Sequence, residues 1–390
     1  MIKHLIKLIW NKRRSNFLLT TEIFASFIVL FGVMSLVFYN YGNYAQPLGY
    51  DYKDVWAAYF TRQDMPDSLF YDAVARARRQ AEAHREVKQA ALSSSNTPYS
   101  QTTIQWSINY EGKSVLSQMI MADDNYAPVL NMPLEEGRWM EQAEVESAQP
   151  VVVLNRQARE ALFGDEPALG KLVGFSDGDK KWKVVGVLGN FKLSGEFQSL
   201  QPVVFLNHRA HEVPAEVVLL KVNADADASF EAALMKEFNG LARDANIELS
   251  YLDGQRRNQL SITRVPMIIA SAVCGFLLLN VGLGLLGVLW FNIRKRRDEI
   301  GLRRALGATR GGILAHFVGE AIVIAAFAVA AGLFFAGQFP LLGVFGLDAA
   351  IYLNAALASV AILLALVAAC AFAPSREAAQ VQPAMVLHEE

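Results

Sequence analysis

The 390-residue sequence has two cysteines, Cys274 and Cys370, and both fall inside apolar runs. No disulfide framework is available to the long polar stretch between the first and second runs, and packing as small apolar residues is the reading for both thiols. Charge is scarce at 19%, against about 25% in soluble domains, while 53% of the residues are hydrophobic. A net charge of −2 gives no basic excess for nucleic acid. Zinc-protease helices and nucleophile elbows are missing, and so is any nucleotide-binding motif. Gly164 to Lys171 imitates a phosphate loop, but five residues part Gly164 from Gly170 where the motif has four. Leu172 also stands where a magnesium-binding Ser or Thr is needed. His208 and His211 lack a third ligand nearby and read as solvated surface. Asp123 and Asp124 read as loop charge. These absences exclude catalysis and cofactor binding as expectations.

What is present is four long apolar runs. A bilayer core of about 30 Å needs roughly 20 apolar residues in a helix. Phe17 to Phe38 supplies one run, interrupted only by Glu22, and Val265 to Ile293 carries no charge. Ile313 to Phe339 contains His316 and Glu320, and Ala349 to Ala373 is uncharged. The first run exceeds a signal-peptide core and has no A-x-A-like site after it. Tyr39, Tyr41 and Tyr44 follow instead, as aromatics at an interface do, so a retained helix is predicted.

Basic residues in short flanks set orientation. Lys3, Lys7, Lys12, Arg13 and Arg14 precede the first span. Arg294, Lys295, Arg296, Arg297, Arg303, Arg304 and Arg310 crowd the second–third connection, whereas Gln338 to Asp348 has no Lys or Arg. The prediction is a cytoplasmic segment 1–16, helix 17–39, an outer domain 40–262, helix 263–293, a cytoplasmic loop 294–312, helix 313–339, an outer loop 340–348, helix 349–373 and a cytoplasmic tail 374–390. The fold class is an α-helical membrane protein with four transmembrane helices, one plus three, and an α+β extracytoplasmic domain between the first and second.

Within that domain Ile104, Trp106, Ile108 and Tyr110 alternate with polar residues, predicting a half-buried strand. Val151–Leu154, Trp182–Leu188, Val203–Leu206 and Val217–Leu220 are further strands. Asn155 is placed to cap a helix through Phe163. Leu69 to Leu92 and Ser229 to Leu241 read as amphipathic helices, and Ser93 to Pro98 as a turn or mobile loop.

The second–third connection has its own pattern. Asp298 and Glu299 near the start of a short helix, with Arg303 and Arg304 in its last turn, match the helix dipole. Gly301, Gly307, Gly311 and Gly312 supply turns or close backbone approach. Ile300, Leu302 and Leu306 give an apolar side, suited to a membrane surface or a partner's groove. The expected docking helix comprises Asp298, Glu299, Ile300, Gly301, Leu302, Arg303, Arg304, Leu306 and Gly307, with Glu299, Ile300, Leu302 and Arg303 as its docking surface. The intramembrane acids Glu22 and Glu320 are expected to pair structurally, with Arg14 and Arg310. Ser271 and Gly275, and Gly284 and Gly287, offer small surfaces for helix contact.

Arg294 to Leu314 strongly resembles the second–third connection of MacB/FtsX-like ABC transporter permeases. Pro374 to Ala379, with Pro383 and Leu387, resembles their tail. Leu134–Trp139, Val151–Asn155, Leu162–Gly164, Leu169–Lys171 and Val184–Val187 resemble their periplasmic core domain, in the same order. Asn190–Lys192 and Ser194–Phe197 fall where members vary. The resemblance implies a bacterial inner-membrane permease without cofactor, working with a separate cytosolic ATPase that binds ATP. It also implies a second permease chain, identical or related, and a surrounding of membrane lipid. It points to a mechanotransmitter that moves the outer domain to export or extract a peptide, lipoprotein or hydrophobic drug, with a periplasmic adaptor or outer-membrane channel as a further candidate partner. The alternative is an FtsX-like regulator of a cell-wall hydrolase.

Overall fold

The computed structural model describes residues 13–100, 102–144, 149–175, 180–210, 213 and 215–380. Lys3, Lys7, Lys12, His211, Pro383 and Leu387 lie outside them, as do the side chains of Arg13, Arg14 and Asp298. The chain forms two compact units, one of Met1–Tyr41 with Arg264–Glu390 and the other of Gly42–Thr263.

Among the described residues four helices have the length and apolarity to cross a membrane: α1 (Arg13–Tyr44), α5 (Leu252–Lys295), α7 (Arg310–Ala336) and α8 (Ala349–Ala379). In hydrocarbon only a helix satisfies its own backbone donors and acceptors, so each apolar run becomes one. The 44-residue α5 begins at Leu252, well before its apolar run. Small residues let the helices close up. Ala321, Ala325 and Ala328 of α7 share a buried cluster with Leu19 and Ile23 of α1 and Val367 and Ala371 of α8. At Gly332 a Cβ would sit 2.3 Å from the Phe27 ring, so the missing side chain is what seats that phenylalanine.

Among the described residues the second unit holds eleven strands, β1 to β11 in chain order. The strands Val55–Arg62 (β1), Val87–Ser93 (β2), Val217–Val222 (β10) and Ala245–Tyr251 (β11) pair antiparallel in the order β11–β1–β10–β2. Helices α2 (Asp67–Glu82) and α4 (Ala228–Leu241) cover one face. This is a split βαβ arrangement, β-α-β-β-α-β, opened between its second and third strands. The insertion carries β3 (Gln105–Tyr110), β4 (Lys113–Ala122), β5 (Leu134–Gly137), β6 (Val151–Asn155), α3 (Arg156–Phe163), β7 (Leu172–Phe175), β8 (Lys181–Leu188) and β9 (Val203–Asn207). Strands β4, β3, β7, β8, β6 and β9 pair in a closed ring, because β9 returns to lie parallel to β4. Ile108, Met119, Leu154, Trp182, Val184 and Leu206 are buried together in that lobe. The Asn155 side chain caps α3 by accepting from Ala158 N at 3.0 Å, as predicted, and also accepts from Val203 N at 2.8 Å.

Two expectations fail here for tertiary reasons. The predicted helix from Leu69 ends at Glu82, and Val87–Ser93 is a strand. Pairing with β10 along Val217–Val222 overrides the helical preference of Lys-Gln-Ala-Ala-Leu. Ser94, Asn96 and Thr97, expected in a turn or mobile loop, are buried, so the segment is no mobile loop. Ser94 and the Met119 carbonyl both bond the Asn96 side chain, and Thr97 meets the Tyr59 hydroxyl at 2.7 Å.

Topology can be read by labelling in intact cells, after Cys274 and Cys370 are replaced by alanine. Ser114 and Thr309 are both exposed. A membrane-impermeant thiol reagent is expected to modify Ser114→Cys and to spare Thr309→Cys; modification of the latter would reverse the assigned orientation.

Candidate functional site

The short helix α6 (Arg297–Ala305) lies between α5 and α7. Its root is apolar. Ile300 is 2% exposed and packs with Ile293, Ile313, Phe317 and Ala379, so α5, α7 and α8 all hold it. Gly301 beside it is buried too. Ile300 therefore leaves the expected docking surface: one side of a nine-residue amphipathic helix must face the bundle, and the β-branched residue takes that side. Leu302 and Leu306 are 60% and 80% exposed, and the exposed Glu299 pairs with Arg303 four residues on. With a period of 3.6 residues, Glu299, Leu302, Arg303 and Leu306 share the outward face.

The flanks are fixed by specific contacts. The Arg296 guanidinium donates to both oxygens of Glu320, at 2.9 and 3.3 Å. Arg296, not Arg310, is thus the partner of that acid, because it sits at the junction of α5 and α6 with both side chains mostly buried. Gly307 takes φ +96°, a left-handed turn that favours glycine, and Arg304 Nη1 donates to Ala308 O at 3.4 Å. Thr309 then caps α7 by accepting from Gly312 N at 3.1 Å. Trp290 Nε1 donates to Glu377 at 3.1 Å, with Arg294 3.6 Å above its ring. The other acid, Glu22, lies against Gly284, where a Cβ would be 3.0 Å from its carboxylate. Gly284 is therefore filled by its own chain, while Gly275 and Gly287 face open space.

Two polar constellations in the outer unit gave no clear sequence signal. Lys192 is fully buried, and its ammonium donates to the carbonyls of Asn43, Glu196 (3.1 Å) and Gln46 (3.4 Å). Burial lowers its pKa, against the opposing charge of Glu196. Asn43 Nδ2 donates back to Phe197 O at 3.1 Å, and Glu196 pairs with Arg256 of α5. The segment Asn190–Phe197 thus ties the end of α1 to the start of α5.

The second is Asp123, which is buried rather than loop charge. Its carboxylate accepts from Arg78 Nη1 of α2 at 3.0 Å, from Leu92 N at 2.9 Å and from Asn125 N at 3.1 Å. Burial pushes its pKa up to about 7, outweighing Arg78 and the two backbone donors, which pull it down. His208, expected on the surface, is also buried, and burial pushes its pKa down to about 4. His208 borders a cavity of about 400 Å³, and both groups line a separate recess of about 10 Å³. No cluster of three metal-binding side chains occurs among the described residues.

The MacB-like periplasmic core domain family matches residues 24–236, and the FtsX-like permease C-terminal family matches residues 271–383. The macrolide export ATP-binding/permease protein MacB of Aggregatibacter actinomycetemcomitans is 25% identical over 216 residues, 54% of this chain and 33% of its own. The pyoverdine export ATP-binding/permease protein PvdT of Pseudomonas aeruginosa is 25% identical over 280 residues, 67% and 41% respectively. This chain therefore spans only 33% and 41% of the length of these relatives. Among solved structures, the periplasmic region of MacB from Actinobacillus actinomycetemcomitans aligns at TM-score 0.41 and 14% identity, covering 53% of this chain and 93% of that one.

Asp123 predicts a pH dependence. Its folded pKa of about 7 lies above the ordinary 3.8, so the folded state holds the proton more tightly and stability falls as pH rises between those values. Thermal unfolding in detergent from pH 5 to 8 should show the wild type losing stability relative to Asp123→Asn as pH rises. A constant difference between the two would contradict the burial effect.

Proposed function

This chain belongs to the MacB/FtsX-like ABC permease family, and from that premise we propose that it is the permease subunit that couples a cytosolic ATPase to the outer domain. The carrying observation is the outward face of α6. Leu302 and Leu306 are exposed, Glu299 and Arg303 pair with each other beside them, and Ile300 roots the helix in the bundle. A rooted helix with exposed leucines passes a push on its outer face to α5, α7 and α8, which a flexible loop would not.

In this reading ATP-driven closure of the ATPase displaces α6, and the motion runs along α5 and α1 to the outer unit. The segment Asn190–Phe197, which ties Asn43 to Arg256 through Lys192 and Glu196, makes those two helix ends move together. The chain resides in the bacterial inner membrane with the outer unit in the periplasm, as the basic residues from Arg294 to Arg310 favour. It acts with a second permease chain to export or extract an envelope substrate. The export proteins among its relatives support transport. The FtsX-like regulator of an envelope enzyme is the second reading, favoured by the C-terminal match at 271–383.

The docking face is tested by Leu302→Asp with Leu306→Asp. Truncating an interface hot spot costs about 2 kcal/mol or more, so co-purification of the cognate ATPase should fall more than about tenfold. The variant should still insert and self-associate, since neither leucine packs in the bundle. Wild-type recovery of the ATPase would remove α6 as the docking element. Ile300→Ala is the contrasting variant: it should lower the stability of the permease itself, by about 2–5 kcal/mol.

A further inference from the structure

The side of α5 that turns away from the bundle carries a pattern of its own. Cys274, Val281, Leu285 and Leu289 pack inward with the other spans. Ile269, Val273, Phe276, Asn280, Leu283 and Gly287 are all exposed, and at 3.6 residues per turn they lie on the opposite side of the helix. Their spacing alternates between four and three residues. A mean period of 3.5 keeps one seam between two helices wound left-handedly about each other. At Gly287 a Cβ would meet only open space, so a neighbouring backbone can come close there. We infer that this face meets a second copy of this chain, locked by a hydrogen-bonded pair of Asn280 carboxamides. The inference rests on the permease reading and names its second chain.

Asn280 carries the choice of partner. Within the apolar run Val265 to Ile293 it stands about 20 Å from either end, at 1.5 Å per residue, near the middle of the bilayer. Its Nδ2 donates to Phe276 O at 2.8 Å, which uses one of its two N–H groups. Among the described residues nothing bonds the second N–H or Oδ1. Lipid tails offer neither donor nor acceptor, and a polar group left unpaired in hydrocarbon is costly. A water-lined path does not serve it either, since the flanking Phe276 and Leu283, each 65% exposed, make that surface apolar.

A second copy meets the need by symmetry. In a two-fold dimer the same face meets itself, and two copies inserted in one orientation run their α5 helices parallel. Asn280 then lies opposite Asn280 at the same depth. Each carboxamide donates its free N–H to the Oδ1 of the other. One polar residue among apolar seam positions also fixes the register. A slip by one turn would part the pair and leave both amides unpaired.

The test uses the full chain in the cell membrane, with Cys274 and Cys370 replaced by alanine and single cysteines introduced. Oxidation should give disulfide-linked homodimers at Phe276→Cys, Asn280→Cys and Leu283→Cys. Leu357→Cys on α8, 60% exposed but off the seam, should stay unlinked. Energy transfer between labelled copies in lipid vesicles should show Asn280→Leu weakening dimerisation at least about threefold, the effect of losing an interhelical hydrogen bond in a membrane. Asn280→Gln should restore most of the loss. Linking at none of the three seam positions overturns the inference, as does equal linking at Leu357→Cys. A linked product that mass spectrometry identifies as another protein overturns it too, as does Asn280→Leu dimerising like the wild type. Recovery of the ATPase is measured on the same membranes. Recovery without seam links defeats this surface alone, whereas seam links without recovery defeat the coupling to an ATPase and keep the dimer.

Discussion

The Lys192 ammonium is the interaction on which the outer unit depends most. An unpaired charge buried in protein costs several kcal/mol, so a fully buried lysine persists only where acceptors surround it. Here the acceptors are main-chain carbonyls of Asn43, Gln46 and Glu196, groups that the chain leaves unpaired as helix α1 ends. One side chain satisfies the fraying end of a helix and closes the loop that carries Glu196, and Glu196 in turn holds Arg256. Tyr50 adds a bond to the Lys192 carbonyl at 3.0 Å. At Gly49 a Cβ would collide with the Asn190 carbonyl at 1.6 Å, so this approach tolerates only glycine.

The membrane unit solves a related problem with few charges. Glu320 is neutralised by Arg296 at the junction of two helices, and Ile300 fills the space between three others. Together they make α6 a rigid extension of the bundle instead of a loose connector. Leu302 and Leu306 are left without a bundle contact.

Much of the organisation was legible in the sequence. The four apolar runs, the capping role of Asn155 and the strands at 151–155, 181–188, 203–207 and 217–222 all follow from periodicity and composition. Strand β11, where Ile247, Leu249 and Tyr251 alternate with Asn246, Glu248 and Ser250, was legible and missed. Strands β1 and β4 were not legible, since each lacks a clear alternation and is defined by the neighbours it pairs with. The misread helix over 87–92 shows the same effect: Ala-rich local preference is weak beside a full strand pairing. The sequence supplied the α6 segment and its amphipathic pattern but put Ile300 on the outward face, where the structure buries it.

The sequence by itself determined that this chain spans a bilayer four times and belongs to its family, because hydrophobic length and short motifs are local properties. Only the tertiary structure decided which residues are buried. Lys192, Asp123, His208 and Asn96 look in sequence like ordinary surface residues. Each is buried because segments far away in the chain bring acceptors or donors to it. Burial of a polar group is a property of its surroundings, and those surroundings exist only once the sheet and its inserted lobe have closed.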